Sequence, residues 1–412
     1  MSGSHDRKDP EAAAQAIEQL AAVEGRNRLY AHYDTLREAD PIHKSRHPLF
    51  PDCWFFSRYD DIDSILKDRR FVQDGRNAEV FAGTEGAYAD MVSRILIFLP
   101  PGGPHERTRQ LIYRAFTPKA VERRRERVVT VVEDLVARVG RGGSFDLLHD
   151  FLYVLPTTVI AELLGASEEE REQLMACFSS QGHEVADVGS ATDEQHRQAD
   201  RAVELFTTNV REMIERHRKA PADDVLTTLI QASDDGDQLS EDEVIAAVYI
   251  LIGAGHETTA NLLGNGLAHL LPDRAQWEAL VTHPERVPTA LEELLRFDTS
   301  VQFNQRVANE DVEYRGAKIA ENDRIIILLG AANRDPAVFA QPDRLDLARN
   351  PNPHLSFGAG LYHCLGIHLA RLEMQVALDA LVRRMPGLRL KEEPAWRPTW
   401  MMRGLERLPV EM

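Results

Sequence analysis

The chain has 412 residues, a formal net charge of −18 and a pI near 5.3. Its apolar fraction of 43% suits a globular protein with a sizeable core and excludes a disordered one. The acidic balance argues against nucleic-acid binding and against adhesion to anionic membranes, and it suits plain solubility. In chain order, residues 1–10 read as a disordered N-terminal segment and residues 11–412 as a single domain. "EAAAQAIEQLAAVEGRNRLYAHYDTLREAD" carries helical periodicity throughout. "PIHK" and "CWFFSRY" are short strand candidates, and "DDIDSILKDRRF" is a helix. Across 72–103 the periodicity is poor and Gly, Pro and Asn are scattered. So long a weakly patterned stretch points to a functional loop, such as a lid.

From 105 to 218 the pattern is nearly all helical. It includes "HERTRQLIYRAF", "AVERRRERVVTVVEDLVARVG", "LPTTVIAELLG", "SEEEREQLMACFSS" and "DRAVELFTTNVREMIERHRK". A long helix runs from "LSEDEVIAAVYIL" to "GLAHLL". Ser240 with Glu243 forms a capping box at its start, and Pro272 lies just past its end. "RVPTALEELLRF" is another helix. Strand-like pieces follow in "VEYRG", "KIAEN", "DRIIILLG" and "RLPVEM", with the helix "GIHLARLEMQVALDALVRRM" between. The reading is mainly α with a small β region.

Cys53, Cys177 and Cys364 are far apart and form neither a disulfide framework nor a zinc motif. A reducing, cytoplasmic compartment fits. The polar N-terminus lacks the apolar core of a signal peptide. The longest near-apolar run, "IAAVYILIGAG", is far short of the roughly 20 residues of a membrane span.

Four stretches carry chemistry. In "FGAGLYHCLG", Gly358, Gly360 and Gly366 surround Cys364. Such a loop can bring a flat ligand against the backbone, and the helix after it puts its positive end near a thiolate. A cysteine held this way can ligate haem iron. Taken alone, a small inert thiol in a tight turn is the more common reading. In "AGHETT", Ala254 and Gly255 interrupt a bulky helix, and glycine there costs about 1 kcal/mol relative to alanine. Room for a small molecule would compensate. Close packing of another helix would do so equally. Glu257 and Thr258 set an acid beside a hydroxyl, the parts of a proton relay. In "EELLR", Glu293 and Arg296 share a helix face. In "HERTR", His105 and Arg109 offer two donors that suit a carboxylate.

The ordered set Phe357-x-x-Gly360-x-x-x-Cys364-x-Gly366 resembles the haem-binding loop of the cytochrome P450 family. "AGHETT", "EELLR" and "AANRDPAVF" resemble its oxygen-binding, ExxR and meander segments, and the similarity runs from about residue 40 to the C-terminus. The resemblance implies the cytochrome P450 fold, haem b and Cys364 as axial ligand of the iron. It implies that Phe357, Gly358, Tyr362, His363 and Gly366 form the loop against the haem. His105, Arg109 and Arg306 would bind propionates. Ala254 and Gly255 would border bound O2, with Thr258 as the hydroxyl beside it and Glu257 as the proton-delivery acid. Arg349 would be third member of the ExxR network. Tyr362 departs from the family, where a His is common, and one residue is inserted before His105.

The function implied is a soluble, bacterial-type monooxygenase that hydroxylates or epoxidises a mid-sized, largely apolar small molecule in natural-product biosynthesis. A steroid or fatty-acid hydroxylase, a peroxide-driven member and a non-catalytic haem-thiolate sensor are the alternatives. Electrons would come from NAD(P)H through a ferredoxin or flavodoxin-type donor and its reductase. A basic patch for that donor is expected among the arginines at 107–127 and at Arg371. By analogy the substrate pocket draws on 72–100, 175–200, 249–256, 301–304 and 399–403.

Overall fold

The computed structural model describes residues 9–73, 86–97, 104–140, 143–180, 192–231 and 239–412. At 96–97, 104–108 and 179–180 it describes the backbone alone. The first helix, Pro10–Ala21, starts where Asp9 accepts the Ala12 N–H at 3.0 Å and proline sits in the first turn. It therefore takes in Pro10, which the sequence reading assigned to the disordered segment, while residues 1–8 lie outside the described ones. The expected single helix to residue 40 is broken. A 3-10 turn, Glu24–Arg28, separates Pro10–Ala21 from Leu29–Ala39. At Gly25 the chain doubles back so closely that a Cβ would lie 2.0 Å from the Gln19 carbonyl oxygen.

A five-stranded sheet gathers β1 (Ile42–Lys44), β2 (Trp54–Phe56), β3 (Phe71–Val72), β4 (Asn304–Ala308) and β5 (Arg324–Ile327) in the order β1-β2-β5-β4-β3. Only β2 and β5 pair in parallel, with Trp54 opposite Ile325. β5 is central, and its "RIII" run of β-branched residues is what a strand covered on both faces needs. The smaller of two cores lies on this sheet, and the larger fills the space between the helices.

Four helices position the site: α1 (Pro104–Phe116), α2 (Glu241–Leu270), α3 (Val287–Phe297) and α4 (Ile367–Arg384). The capping box at the start of α2 forms as expected. Ser240 Oγ accepts from the Glu243 N–H at 3.2 Å, and Glu243 accepts from the Ser240 N–H at 2.5 Å. α2 is buried on almost every side, which its nearly unbroken apolar sequence requires. Within the weakly patterned 72–103 stretch, Val72 ends β3 and Ala87–Ile97 is a helix, while 74–85 and 98–103 lie outside the described residues. No helix among the described residues is long and apolar enough to cross a membrane.

Candidate active site

The Cys364 loop is built by its glycines and by a buried ionic network beneath it. Gly358 and Gly360 have φ of +66° and +69°, the left-handed region that side chains resist. At Gly360 a Cβ would also lie 2.1 Å from the Leu66 carbonyl oxygen. The loop closes as the Cys364 N–H donates to the Phe357 carbonyl at 3.0 Å. Gly366 then precedes α4 with an ordinary φ of −82°. A Cβ there would meet nothing within 4 Å, so packing does not call for a glycine at this position.

Under the loop, Arg296 donates to both Glu293 oxygens at 2.7 and 2.9 Å, and Arg349 adds a third bond at 3.0 Å. Glu293 and Arg296 are wholly buried. Arg296 also donates to the Asn333 carbonyl at 2.8 Å. Asn333 in turn accepts the Leu355 N–H at 2.7 Å and donates to Ser356 Oγ at 2.9 Å. A continuous polar chain therefore runs from the Glu293–Arg296 pair to the residues just before Phe357. A second anchor was invisible in the sequence. Glu292 accepts from His354 at 2.9 Å and from Arg371 at 2.8 and 2.7 Å, tying the loop's entry to α4 beyond its exit. Burial opposes charge on Glu292, yet the bonds from His354 and Arg371 hold its carboxyl down to about 2.

Cys364 opens onto a cavity of about 270 Å³ lined mainly by apolar side chains. Burial pushes its thiol up, while the N–H groups of Gly366 and Ile367 and the charges of Arg109 and Arg371 pull it back. Ala254, Gly255, Thr258, Phe357, Gly358, Tyr362 and Gly366 share this cavity wall, whereas His363 is not part of it. Ala254 is exposed in the middle of a buried helix because it faces the cavity. At Gly255 the atoms nearest an added Cβ belong to Ile160, the closest at an ordinary 3.5 Å. Close helix packing therefore does not explain "AG", and space beside the helix does. Thr258 Oγ1 donates to the Ala254 carbonyl at 2.8 Å.

Glu257 lies elsewhere. It accepts from Arg397 at 3.1 Å and from Asn261 at 3.4 Å, and Arg397 also donates to the Tyr153 hydroxyl at 2.9 Å. Glu257 is not among the cavity-lining residues, so the acid and hydroxyl adjacent in sequence point to different surroundings. The sequence reading could not show this, because Arg397 is 140 residues away.

Two further expected residues, Arg306 and Arg109, border the loop. Arg306, 1% exposed, has no carboxylate partner among the described residues, and its Nε has no hydrogen bond there. It packs over the Tyr362 ring at 4.7 Å, and burial pushes its pKa down to about 10. Arg109 donates to the His363 carbonyl at 2.6 Å, which places α1 against the loop. His105 is on the same helix, but its side chain lies outside the described residues. Tyr362 does not present its hydroxyl as a free donor. The hydroxyl accepts the Gln73 N–H at 3.0 Å and donates to the Gln73 carbonyl at 3.5 Å. The expected basic patch is thinner than the arginine count suggests. Arg125 and Arg127 pair with Glu122 and Glu162, and Arg371 pairs with Glu292. Arg114, Lys119 and Arg123 are exposed and form no ion pair with another described residue. Of the expected substrate-facing segments, Val301 and Asn304 line the cavity, whereas Trp400 packs into the sheet-side core against Phe55 and Phe303.

A thiol flanked by helix N–H groups and two arginines, set in an apolar cavity near a buried arginine with no carboxylate partner among the described residues, is the donor set of a haem-thiolate site: sulfur for the iron and cation for a propionate. A family model described as cytochrome P450 matches residues 52–386. Cytochrome P450 107B1 of Saccharopolyspora erythraea is 38% identical over 92% of this chain and 93% of its own length. The polyketide biosynthesis cytochrome P450 PksS of Bacillus subtilis is 36% identical over 91% of this chain and 94% of its own. The solved structure of P450BioI in complex with an acyl carrier protein ligated to hexadec-9Z-enoic acid superposes with a TM-score of 0.84. It is 35% identical over 94% of this chain and 98% of its own. The chain belongs to the cytochrome P450 family, oxidoreductases that use haem b, O2 and electrons delivered by a redox partner.

Proposed function

We propose that this chain, as one domain over 11–412, is a soluble, cytoplasmic monooxygenase that hydroxylates or epoxidises a mid-sized natural product of polyketide type. The observation that carries this is one cavity holding Cys364, the Ala254–Gly255 gap and the Thr258 hydroxyl together. The substrate class is supported by an apolar wall of Ile250, Leu251, Val301 and Leu329 with Asn304 as a polar contact, and by the polyketide relative.

Cys364 would hold haem iron, with Arg306, Arg109 and His105 against the propionates and Phe357, Gly358, Tyr362, His363 and Gly366 as the loop beneath. Bound there, haem supplies reductive oxygen activation and oxygen insertion. The protein's own part is positional. Ala254 and Gly255 leave space beside α2 for O2. Thr258 holds a hydroxyl at that space and moves a proton, while Glu257 supplies protons from the polar cluster behind. The apolar wall orients the substrate and limits water. The electron donor is an acidic ferredoxin or flavodoxin. Arg114, Lys119 and Arg123, on and just after the helix that touches His363, support its docking there.

The test is turnover of a macrolide-type substrate panel with NADPH, a surrogate ferredoxin and its reductase, after screening for substrate-induced spectral shifts. Oxygenated macrolide products are expected. Products only from fatty acids or steroids would replace the substrate class. Thr258→Ala is expected to divert electrons to hydrogen peroxide, and unchanged coupling would remove its relay role.

A further inference from the structure

Val301 and Asn304 reach the cavity from a turn whose own side chains do little to fix it. The turn leaves α3 at Asp298, and Asp298, Thr299, Ser300 and Gln302 are wholly buried. Thr299 Oγ1, Ser300 Oγ and Gln302 Oε1 have no hydrogen-bond partner among the described residues. Neither has Oδ1 of Asn265, the α2 side chain that donates to the Asp298 carbonyl at 3.4 Å and to the Arg403 carbonyl at 3.1 Å. Buried polar groups are nearly always bonded, so unpartnered atoms gathered around one turn mean that it is anchored elsewhere.

The anchor is a carboxylate. Asp298 accepts from the Tyr30 hydroxyl at 2.8 Å, from Arg403 Nε at 2.9 and 3.1 Å, and from His269 Nε2, in the last turn of α2, at 2.8 Å. Burial opposes its charge, yet Arg403, His269 and Arg334 hold the carboxyl below the ordinary range. Arg403 belongs to a second segment that is laced to the turn. Its N–H donates to the Ser300 carbonyl at 2.7 Å, the Gln302 N–H donates to the Met401 carbonyl at 2.9 Å, and Val301 pairs with Met402. Neither Asp298 nor Arg403 lines the cavity. Their charged contact with both carboxylate oxygens fixes direction as well as distance, and it does so directly behind the backbone that carries Val301. A displacement of about 1 Å in such a wall is enough to spoil a fit.

We propose that Asp298, acting through Arg403, is a specificity-determining positioning residue, which sets how far Val301 and Asn304 stand into the cavity. It governs bulky apolar ligands that fill the cavity to this wall, and small ligands held at the iron alone do not sense it. The proposal rests on the haem-thiolate reading of the cavity.

Azole titration of the holoprotein tests it without a substrate. Imidazole needs the iron alone, whereas clotrimazole must also fit the wall, and each is followed by the shift of the haem absorption band. In Asp298→Asn the clotrimazole affinity is expected to shift about tenfold relative to that of imidazole, the scale of one methylene of misfit in an apolar pocket. The imidazole affinity and the reduced carbon-monoxide band should stay as in wild type. Tyr30→Phe removes a bond to the same carboxylate from the helix Leu29–Ala39, no residue of which lines the cavity. It is expected to lower stability in urea and to keep the wild-type affinity ratio. Should Asp298→Asn not fold, Arg403→Lys keeps the charge but loses the two-oxygen contact, and it should shift the ratio by a smaller factor. An unchanged ratio in the variant that folds, or an equal shift in Tyr30→Phe, overturns the role of Asp298. A wild-type protein without any azole-induced shift would instead refute the haem reading, and the proposal with it.

Discussion

Gly358 and Gly360 have nearly the same φ, yet alanine should cost very different amounts at the two positions. At Gly358 the nearest atom to an added Cβ is the Tyr362 carbonyl oxygen at 3.9 Å, so the cost is conformational alone, about 1–2 kcal/mol. At Gly360 the Cβ meets the backbone oxygen of Leu66 at 2.1 Å, and a carbonyl in the last turn of a helix cannot rotate aside. Overlap of this kind adds about 1–3 kcal/mol, giving roughly 2–5 kcal/mol at Gly360 in all. Urea unfolding of Gly358→Ala and Gly360→Ala, followed by tryptophan fluorescence, measures the difference through the shift of the midpoint. Gly360→Ala is also expected to lose more of the thiolate spectrum, because relief of the overlap must move the Cys364 loop off the helix at Tyr59–Lys67. Equal losses in the two variants would refute the close approach as the reason for Gly360.

Two other outcomes follow from the charges around the loop. Glu292 sits near 2 in the folded chain against 4.5 when free, so its stabilisation is complete above about pH 4.5 and is lost as pH falls toward 2. Glu292→Gln should remove about 2 kcal/mol of acid-labile stability after allowance for its partial exposure, which acid titration of the unfolding midpoint checks. A slope over that range equal to wild type would contradict the assignment. Arg306→Leu should leave the haem-free chain as stable as wild type or more so, because it removes a buried cation with no carboxylate partner among the described residues. The same variant should release haem faster to apomyoglobin, and an unchanged release rate would remove Arg306 from the propionate site.

What could be seen in the sequence was local. Phe357 to Gly366 lies on one continuous loop, Glu293 and Arg296 are one helical turn apart, and the Ser240–Glu243 box needs only neighbouring backbone. Their spacing alone constrains their geometry. The partners that decide the chemistry are distant in the chain. Arg397 takes Glu257 away from the cavity, Glu292 joins His354 to Arg371, and Gln73 occupies the Tyr362 hydroxyl. No periodicity shows such pairings. The strand at Asn304–Ala308 escaped for a related reason. "NQRVA" has little β-branched content, and its strand form comes from pairing with β5.

The central claim is that Cys364 carries the haem iron as a thiolate. The reduced carbon-monoxide difference spectrum of wild type and Cys364→Ala tests it most directly. Wild type is expected to show the red-shifted band of a thiolate-ligated haem, and Cys364→Ala to lack it. A wild-type spectrum without that band, or a Cys364→Ala variant that keeps it, would contradict the account.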